Sequence, residues 1–200
     1  MNEHDTTELN KDPFVQFNEW YSLKRKSAKE NYNAMILSSS TAKGRVSSRV
    51  VLLKEHSNNG FIFYSNYLSK KGRQLSLNPA ASLLFYWPEF KRQIRIEGTV
   101  GKTTSEESDL YFESRIQDHK LNAIVSRQSD ELKSKEELIE QYNKLNSSPL
   151  ANNPQRPDHW GAYRLVPDLF EFWQEGENRF HDRIEYRLVE QKWQLRRLYP

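Results

Sequence analysis

The feature that most limits the possible folds is a series of short apolar segments separated by turns of a few residues. Between residues 33 and 102 these segments are rich in β-branched and aromatic residues, and the turns include TAKG and HSNNG. The predicted strands here are 33–40, 45–54, 61–66, 81–87 and 92–102. Closely spaced short strands with hairpin turns are typical of an antiparallel barrel or sandwich rather than of parallel βαβ units.

Three helices are predicted outside residues 33–102. From Pro13 the apolar residues of PFVQFNEWY follow helical spacing, and two capping boxes, Thr104 with Glu107 and Ser134 with Glu137, open further helices. Strands are predicted again at 161–166, 169–174, 179–188 and 193–199. We expect a disordered leader over 1–12 and one domain over 13–200, mainly β with flanking helices.

Composition narrows the class of protein. Hydrophobic residues make up only 36% of the chain and the mean hydropathy is −0.91, yet 12% of the residues are aromatic. This combination suits a chain that hides an aromatic surface, for instance in a dimer. The net charge is only +3, with basic and acidic residues interspersed, which argues against a nucleic-acid partner. Nothing approaches the apolar run that a membrane span requires.

Several chemistries are made improbable by missing motifs. The chain has no cysteine, its five histidines show no metal-binding spacing, and HExxH is absent, so no metal site is expected. Without GxSxG or GxGxxG, neither a serine hydrolase nor a Rossmann nucleotide site is indicated. The polar, acidic N-terminus does not resemble a signal peptide, and the expected location is the cytoplasm.

The stretch NRFHDRIEY, residues 178–186, is an unusual strand sequence. If it alternates as a regular strand, Arg179, His181 and Arg183 share one face, whereas Phe180 and Ile184 lie on the other. Two guanidinium groups and an imidazole on one face indicate a ligand, although a solvated strand balanced by neighbouring acids is the simpler interpretation.

Two further basic groups lie upstream. Arg49 and Lys54 bracket four apolar residues, and Lys70 and Lys71 lie where a strand passes into a helix, a place that favours phosphate. Each group alone could simply be solvated. Together with the group at 179–183 they suit a ligand that carries a phosphate and a polar ring.

These segments also resemble a known family. SRVVLLK, FYSNYLSKKG, RQIRIEG, YFESR, SRQS and EFWQEGENRFHDR follow in the order found in the pyridoxamine 5′-phosphate oxidase family, over nearly the whole chain. The resemblance implies an antiparallel FMN-binding split β-barrel that acts as a homodimer, with active sites across the subunit interface. It implies oxidation of pyridoxine or pyridoxamine 5′-phosphate to pyridoxal 5′-phosphate, with O₂ reduced to H₂O₂.

The resemblance also implies roles for individual residues. The implied FMN contacts are Arg49, Val50, Val51, Leu52, Leu53, Lys54, Tyr64, Ser65, Lys70, Lys71, Gln93, Gln128, Ser129, Trp173 and Arg183. The implied substrate contacts are Lys54, Tyr111, Arg115, His119, Arg179 and His181. Of these, Arg179 is expected against the pyridine ring and His181 on a polar ring substituent, as the catalytic pair.

The chain departs from the family pattern around residues 119–126. His119 stands where the family usually has a serine at the substrate phosphate, and LNAIVS replaces a segment with Gly and Trp. The related phenazine-biosynthesis flavin oxidases also vary here. The alternatives are therefore an oxidase of that type, or a non-catalytic protein that binds FMN or pyridoxal phosphate.

Overall fold

The computed structural model describes residues 9–27 and 31–200, which form nine strands and five α-helices. In chain order the elements are α1 (Pro13–Ser27), β1 (Ala34–Ser40), β2 (Val46–Leu52), β3 (Glu55–Ser57), β4 (Gly60–Asn66), α2 (Lys70–Leu77), β5 (Ala80–Trp87), β6 (Arg92–Lys102), α3 (Ser105–Ser114), α4 (Gln117–Val125), α5 (Lys135–Asn146), β7 (Trp160–Gln174), β8 (Asp182–Val189) and β9 (Lys192–Leu198). Within the described ranges, no helix is both long enough and apolar enough to cross a bilayer.

All nine strands belong to one antiparallel sheet. The order is β2-β1-β5-β6-β7-β4-β3, while β8 pairs with β7 and β9 with β8. The long strand β7 pairs with β4 through its first residues and with β8 through its last, so the sheet curls into a half-barrel. The predicted fold class, an antiparallel split barrel flanked by helices, is confirmed.

Helix α1 covers the inside of this curled sheet with aromatic rings. Its residues Phe14, Phe17, Trp20 and Tyr21 are buried, which is the spacing of one helix face. Phe17 packs edge-on against Phe61 of β4, with ring centroids 4.9 Å apart. Stacked and edge-on aromatic pairs fill this core, so a chain of low mean hydropathy still buries a large apolar area.

The predicted leader, residues 1–12, lies mostly outside the described residues. Of its described part, Leu9 packs against the core, and the carbonyl of Asn10 accepts a 2.7 Å hydrogen bond from the buried Tyr186 hydroxyl. This end of the leader is therefore fastened to β8.

Strand β7 is continuous where the sequence predicted two strands, 161–166 and 169–174. Pro167, which cannot donate to a ladder, lies opposite Gly98, where a bulge between Glu97 and Gly98 shifts the register. A Cβ on Gly98 would lie 2.1 Å from the carbonyl oxygen of Val166, so only glycine allows this close approach. The prediction of two strands was wrong because the bulge accommodates the proline.

Strand β8 begins at Asp182, three residues later than predicted. Asn178 and Arg179 both have positive φ, 51° and 67°, within a 3₁₀ turn at Glu177–Arg179. This left-handed backbone cannot continue a strand. Phe180 is consequently 78% exposed instead of facing the core. The prediction that Arg179, His181 and Arg183 share one strand face was wrong.

Candidate active site

A cavity of about 780 Å³ lies between strands β2 and β4, the start of α2, and helices α3 and α4. We call it the cationic cavity because Arg49, Lys54, Lys70, Lys71 and Arg115 line it and, of the residues that the structure describes, no aspartate or glutamate does. None of these five side chains takes part in an ion pair among the described residues. Because gathered like charges repel, such a cavity favours an anionic ligand.

The start of helix α2 provides one end of the cavity. Ser69 caps the helix, and its Oγ accepts a 3.3 Å hydrogen bond from the Gly72 amide. The buried Lys71 ammonium donates to Ser65 Oγ at 3.0 Å and to Gln128 Oε1 at 2.6 Å. Burial lowers the pKa of Lys71 to about 8, and the nearby charge of Arg49 is the smaller cause of this shift. Neutral oxygens therefore hold this lysine without compensating its charge.

Arg49 approaches the same end from strand β2. The strand alternates, with Val46 and Val50 exposed and Arg49 directed inward. The Arg49 Nη1 donates to the Leu37 carbonyl at 3.1 Å and to Ser39 Oγ at 2.7 Å. Burial lowers the pKa of Arg49 from its usual value. The guanidinium is thus fixed beside Lys71 by neutral acceptors.

Aromatic rings and a second cationic group form the other part of the cavity. Tyr64 stacks on Tyr111 at 3.9 Å and on Trp160 at 5.4 Å. The guanidinium of Arg115 lies 4.6 Å from the Trp160 ring centre, and Lys54 Nζ lies 5.6 Å from that of Tyr111. Both distances are within cation–π range.

Arg115 contains an unsatisfied donor. Its Nη1 is buried and has no hydrogen-bond partner within the described part of the chain, and burial lowers the pKa of its guanidinium. Buried donors without partners are rare because each costs about 1–3 kcal/mol. An oxygen of a bound anion is the acceptor that would satisfy this group.

Most of the predicted site residues line the cationic cavity. They are Arg49, Val50, Val51, Leu52, Lys54, Tyr64, Ser65, Lys70, Lys71, Tyr111, Arg115, His119, Gln128 and Ser129. Leu53 does not, since its side chain is buried in the core. Gln93, Trp173, Arg179, His181 and Arg183 also do not line it.

Four of the residues outside the cavity form a second group, which we call the strand-end cluster: Gln93, Trp173, His181 and Arg183. Gln93 pairs with Trp173 across β6 and β7, and Trp173 with Arg183 across β7 and β8. The His181 ring lies 4.9 Å from that of Trp173, and its Nδ1 accepts a 3.2 Å hydrogen bond from the Gly176 amide. The site residues predicted from the sequence therefore form two separate groups within one chain, the cationic cavity and the strand-end cluster.

Strand β7 shows how far apart these groups lie along the chain. Trp160, at its first residue, lines the cationic cavity, whereas Trp173 is near its last residue. At about 3.3 Å per residue, some 40 Å of strand contour separates them.

Some cavity residues were missed by the sequence reasoning. Helix α4, which was not predicted, contributes Asn122 and Ala123 beside His119. Its signal was present as apolar residues at Leu121, Ile124 and Val125, with helical spacing over a short segment. Trp160 was missed as a site residue because it directly precedes the strand predicted from residue 161.

The curled antiparallel sheet defines a split-barrel protein, and its cationic cavity, which no described acidic residue lines, suits an anionic small molecule. The model of the family described as "Pyridoxamine 5′-phosphate oxidase" matches residues 24–143, and the "Pyridoxine 5′-phosphate oxidase C-terminal dimerisation region" matches 160–200. The chain belongs to the pyridoxamine 5′-phosphate oxidase family and is an enzyme of that oxidase type.

Individual relatives agree with this assignment. The chain is 42% identical over 198 residues to a pyridoxine/pyridoxamine 5′-phosphate oxidase of Paraburkholderia phytofirmans, which covers 98% of this chain and 92% of the relative. It is 44% identical over 194 residues to one of Gloeothece citriformis, with 96% and 91% covered.

Among solved structures, PhzG from Burkholderia lata, in complex with tetrahydrophenazine-1-carboxylic acid, superposes with a TM-score of 0.91 at 30% identity, covering 100% of this chain and 97% of that one. The matched dimerisation region supports a homodimer.

Proposed function

We propose that this enzyme binds FMN and oxidises pyridoxamine or pyridoxine 5′-phosphate to pyridoxal 5′-phosphate, with O₂ reduced to H₂O₂. The observation that carries the proposal is the cationic cavity of a chain of this family, which two groups of cations line without any acid from the described ranges. Arg49, Lys70 and Lys71 suit the FMN phosphate, and Lys54 and Arg115 suit the substrate phosphate. When bound, FMN would accept a hydride from the substrate, whose hydroxyl or amino group releases a proton, and would pass the two electrons to O₂, which takes up two protons to form H₂O₂. With pyridoxamine 5′-phosphate, water then hydrolyses the resulting imine and ammonia is released.

The residues of the cavity fit this pair of ligands. The unsatisfied Nη1 of Arg115 requires an acceptor, which a substrate phosphate oxygen supplies. Burial, together with the nearby charge of Glu55, raises the pKa of Tyr64 to about 12, so its hydroxyl remains a hydrogen-bond donor at neutral pH. The protein's contribution is thus to hold and orient the ligands rather than to supply a reactive side chain.

We further propose that each active site combines the cationic cavity of one protomer with the strand-end cluster and Arg179 of its partner. Two findings support this arrangement. Gln93, Trp173 and Arg183 do not line the cavity of their own chain, and residues 160–200 match a dimerisation region. In the shared site, Gln93, Trp173 and Arg183 would contact FMN, and Arg179 and His181 the substrate.

The hydrogen bond from Gly176 suggests how His181 acts. Its Nδ1 accepts this bond, so the proton of a neutral ring is on Nε2. His181 is then suited to donate a hydrogen bond to a polar substituent of the pyridine ring, rather than to remove a proton through that nitrogen.

The direct test is an assay of the purified protein with its bound cofactor. We expect a yellow protein that forms equal amounts of H₂O₂ and pyridoxal 5′-phosphate from pyridoxine 5′-phosphate, and that uses unphosphorylated pyridoxine poorly. Yellow protein without peroxide formation would instead indicate a non-catalytic FMN or pyridoxal-phosphate binder.

A phenazine-type flavin oxidase is the second candidate, favoured by the likeness to PhzG over the full chain. Its substrate class has a carboxylate but no phosphate. Oxidation of tetrahydrophenazine-1-carboxylic acid at a higher kcat/KM than pyridoxine 5′-phosphate would favour this alternative. Either a phosphate or a carboxylate oxygen would satisfy the buried Nη1 of Arg115, so the ratio of the two kcat/KM values decides between the candidates.

A further inference from the structure

Gln74 of helix α2 does not line the cationic cavity, yet it holds Arg49, which does. The Gln74 side chain is buried, and its Oε1 accepts hydrogen bonds from Ser39 Oγ at 2.7 Å and from Arg49 Nη2 at 3.4 Å. Its Nε2 donates to Ser47 Oγ at 3.3 Å. Gln74 therefore joins α2 to β1 and β2 through one amide.

A carboxylate would be the stronger partner for a half-buried guanidinium. Elsewhere in this chain Glu171 fulfils that role, accepting bonds of 3.2 and 3.0 Å from Arg183. Charge-assisted bonds of this kind are about twice as strong as bonds between neutral groups. At Arg49 the chain has instead an amide of the same size and shape as a glutamate side chain, which orients the guanidinium without compensating its charge.

Resting on the proposed function, we propose that Gln74 is a positioning residue that fixes Arg49 for the FMN phosphate while leaving the positive charge of Arg49 uncompensated. Gln128 provides the same kind of neutral acceptor to Lys71, from within the cavity. Because no described acid pairs with Arg49 or Lys71, an anion that enters between them supplies the negative charge that both lack. The requirement at position 74 is for an acceptor without charge.

The substitution Gln74→Glu separates charge from hydrogen bonding. The carboxylate can still accept from Ser39 and Arg49, and the Ser47 hydroxyl can reverse its role and donate. We expect the FMN-free protein to melt at the same or a higher temperature, because Arg49 gains a charged partner. We expect FMN affinity to fall by about tenfold or more, and to depend less on salt, because one cation of the site has been neutralised.

Two further variants serve as controls for Gln74→Glu. Gln74→Met removes the acceptor without adding charge and should weaken FMN binding less than Gln74→Glu. Gln194→Glu, on exposed β9, makes the same change in net charge away from the cavity and should bind FMN as the wild type does. FMN binding is followed by the quenching of flavin fluorescence, and melting by circular dichroism.

The outcomes separate this inference from the proposed function. Wild-type FMN affinity in Gln74→Glu, equal losses in the Met and Glu variants, or a Gln74→Glu protein that does not fold would each overturn the role of Gln74. A wild-type protein that bound no FMN would instead contradict the proposed function. The same variants would then be compared by the protection that inorganic phosphate gives against thermal unfolding.

Discussion

The cationic cavity and strands β7–β9 differ in the groups that surround their arginines. In the cavity, Arg49 is held by a carbonyl, a hydroxyl and an amide, whereas on β7 the buried Glu171 lies between Arg95 and Arg183, at 2.5 and 3.0 Å. Glu185 likewise pairs with Arg187 and Arg196. Removing one partner of a buried ion pair destabilises a fold, whereas an uncompensated cation is available to a ligand.

This difference implies a division of roles. Substitutions among the paired groups should chiefly change stability, and substitutions in the cavity should chiefly change ligand affinity. Arg183 belongs to both classes, because it is paired with Glu171 and is also a proposed flavin contact. Its charge is therefore compensated before FMN arrives, and it suits an orienting contact to the flavin ring better than a contact to the phosphate.

The largest effect is expected for Glu171→Ala. Removing this carboxylate leaves Arg95 and Arg183 without their shared partner, which should cost about 3 kcal/mol of unfolding free energy. Urea denaturation measures the loss, and Glu171→Gln, which keeps an acceptor, should lose less. An unchanged midpoint in the alanine variant would remove the distinction between the two regions.

The same carboxylate predicts a pH dependence. Burial alone would raise the pKa of Glu171, but the hydrogen bonds and charges of Arg183 and Arg95 outweigh it and hold the pKa below its usual value. Its stabilising contribution is therefore present at neutral pH and is lost as the pH falls through that lowered pKa. The stability gap between the wild type and Glu171→Gln should accordingly close below about pH 4.

Arg115→Met, unlike Glu171→Ala, should change substrate affinity rather than reduce stability. It removes a buried donor that has no partner, so the FMN-free protein should be as stable as the wild type or more stable by about 1 kcal/mol. The Michaelis constant for pyridoxine 5′-phosphate should rise about 10- to 100-fold through loss of a charge-assisted contact. A destabilised variant with an unchanged Michaelis constant would show that Arg115 serves the fold.

Lys71 predicts a pH dependence of FMN binding. Its pKa of about 8 means that the FMN-free site loses this proton as the pH rises above 8, whereas bound phosphate favours the charged form. FMN affinity should therefore fall above pH 8, by at most about tenfold per pH unit. Lys71→Arg, which stays charged, should abolish this fall, and equal slopes in the two proteins would exclude Lys71 as its source.

The smallest effect is expected at His119, an exposed residue at the cavity margin. His119→Ser should change the Michaelis constant by no more than about threefold, because an exposed polar side chain at the margin contributes little. His119→Glu introduces an acid into the cationic cavity and should raise the Michaelis constant more. Steady-state kinetics with pyridoxine 5′-phosphate distinguishes the two, and equal values would show that residue 119 faces away from the substrate.

The sequence predicted the fold through its turns and its hydrophobic periodicity, because both are local. Helix α1 and the cap at Thr104 are confirmed for the same reason. The start of β8 could not be predicted, since the positive φ of Asn178 and Arg179 depends on how the turn closes against β7. The continuity of β7 past Pro167 depends equally on a bulge in a neighbouring strand.

The sequence predicted most of the residues that line the candidate site, but not where they lie relative to one another. The resemblance to the family implied that Arg49 and Arg183 both contact FMN, whereas in the structure they lie in different regions of the chain. Nothing local in the sequence shows that Glu171 pairs with Arg183, because this contact arises from strand pairing between β7 and β8. The role of Gln74 was hidden in the same way, since it depends on packing between α2 and β1.

Two protomers are proposed to share each active site, and a mixed dimer tests this arrangement most directly. Arg115→Met alters the cavity and Arg179→Ala the exposed turn before β8, so each homodimer has two damaged sites, and Arg179→Ala should still retain FMN. Co-expressed with different tags and purified as a heterodimer, they should form one intact site and one doubly damaged site. We predict about half of the wild-type activity, because a two-fold dimer has two equivalent sites. A heterodimer no more active than its two parents would show that each chain builds its site alone.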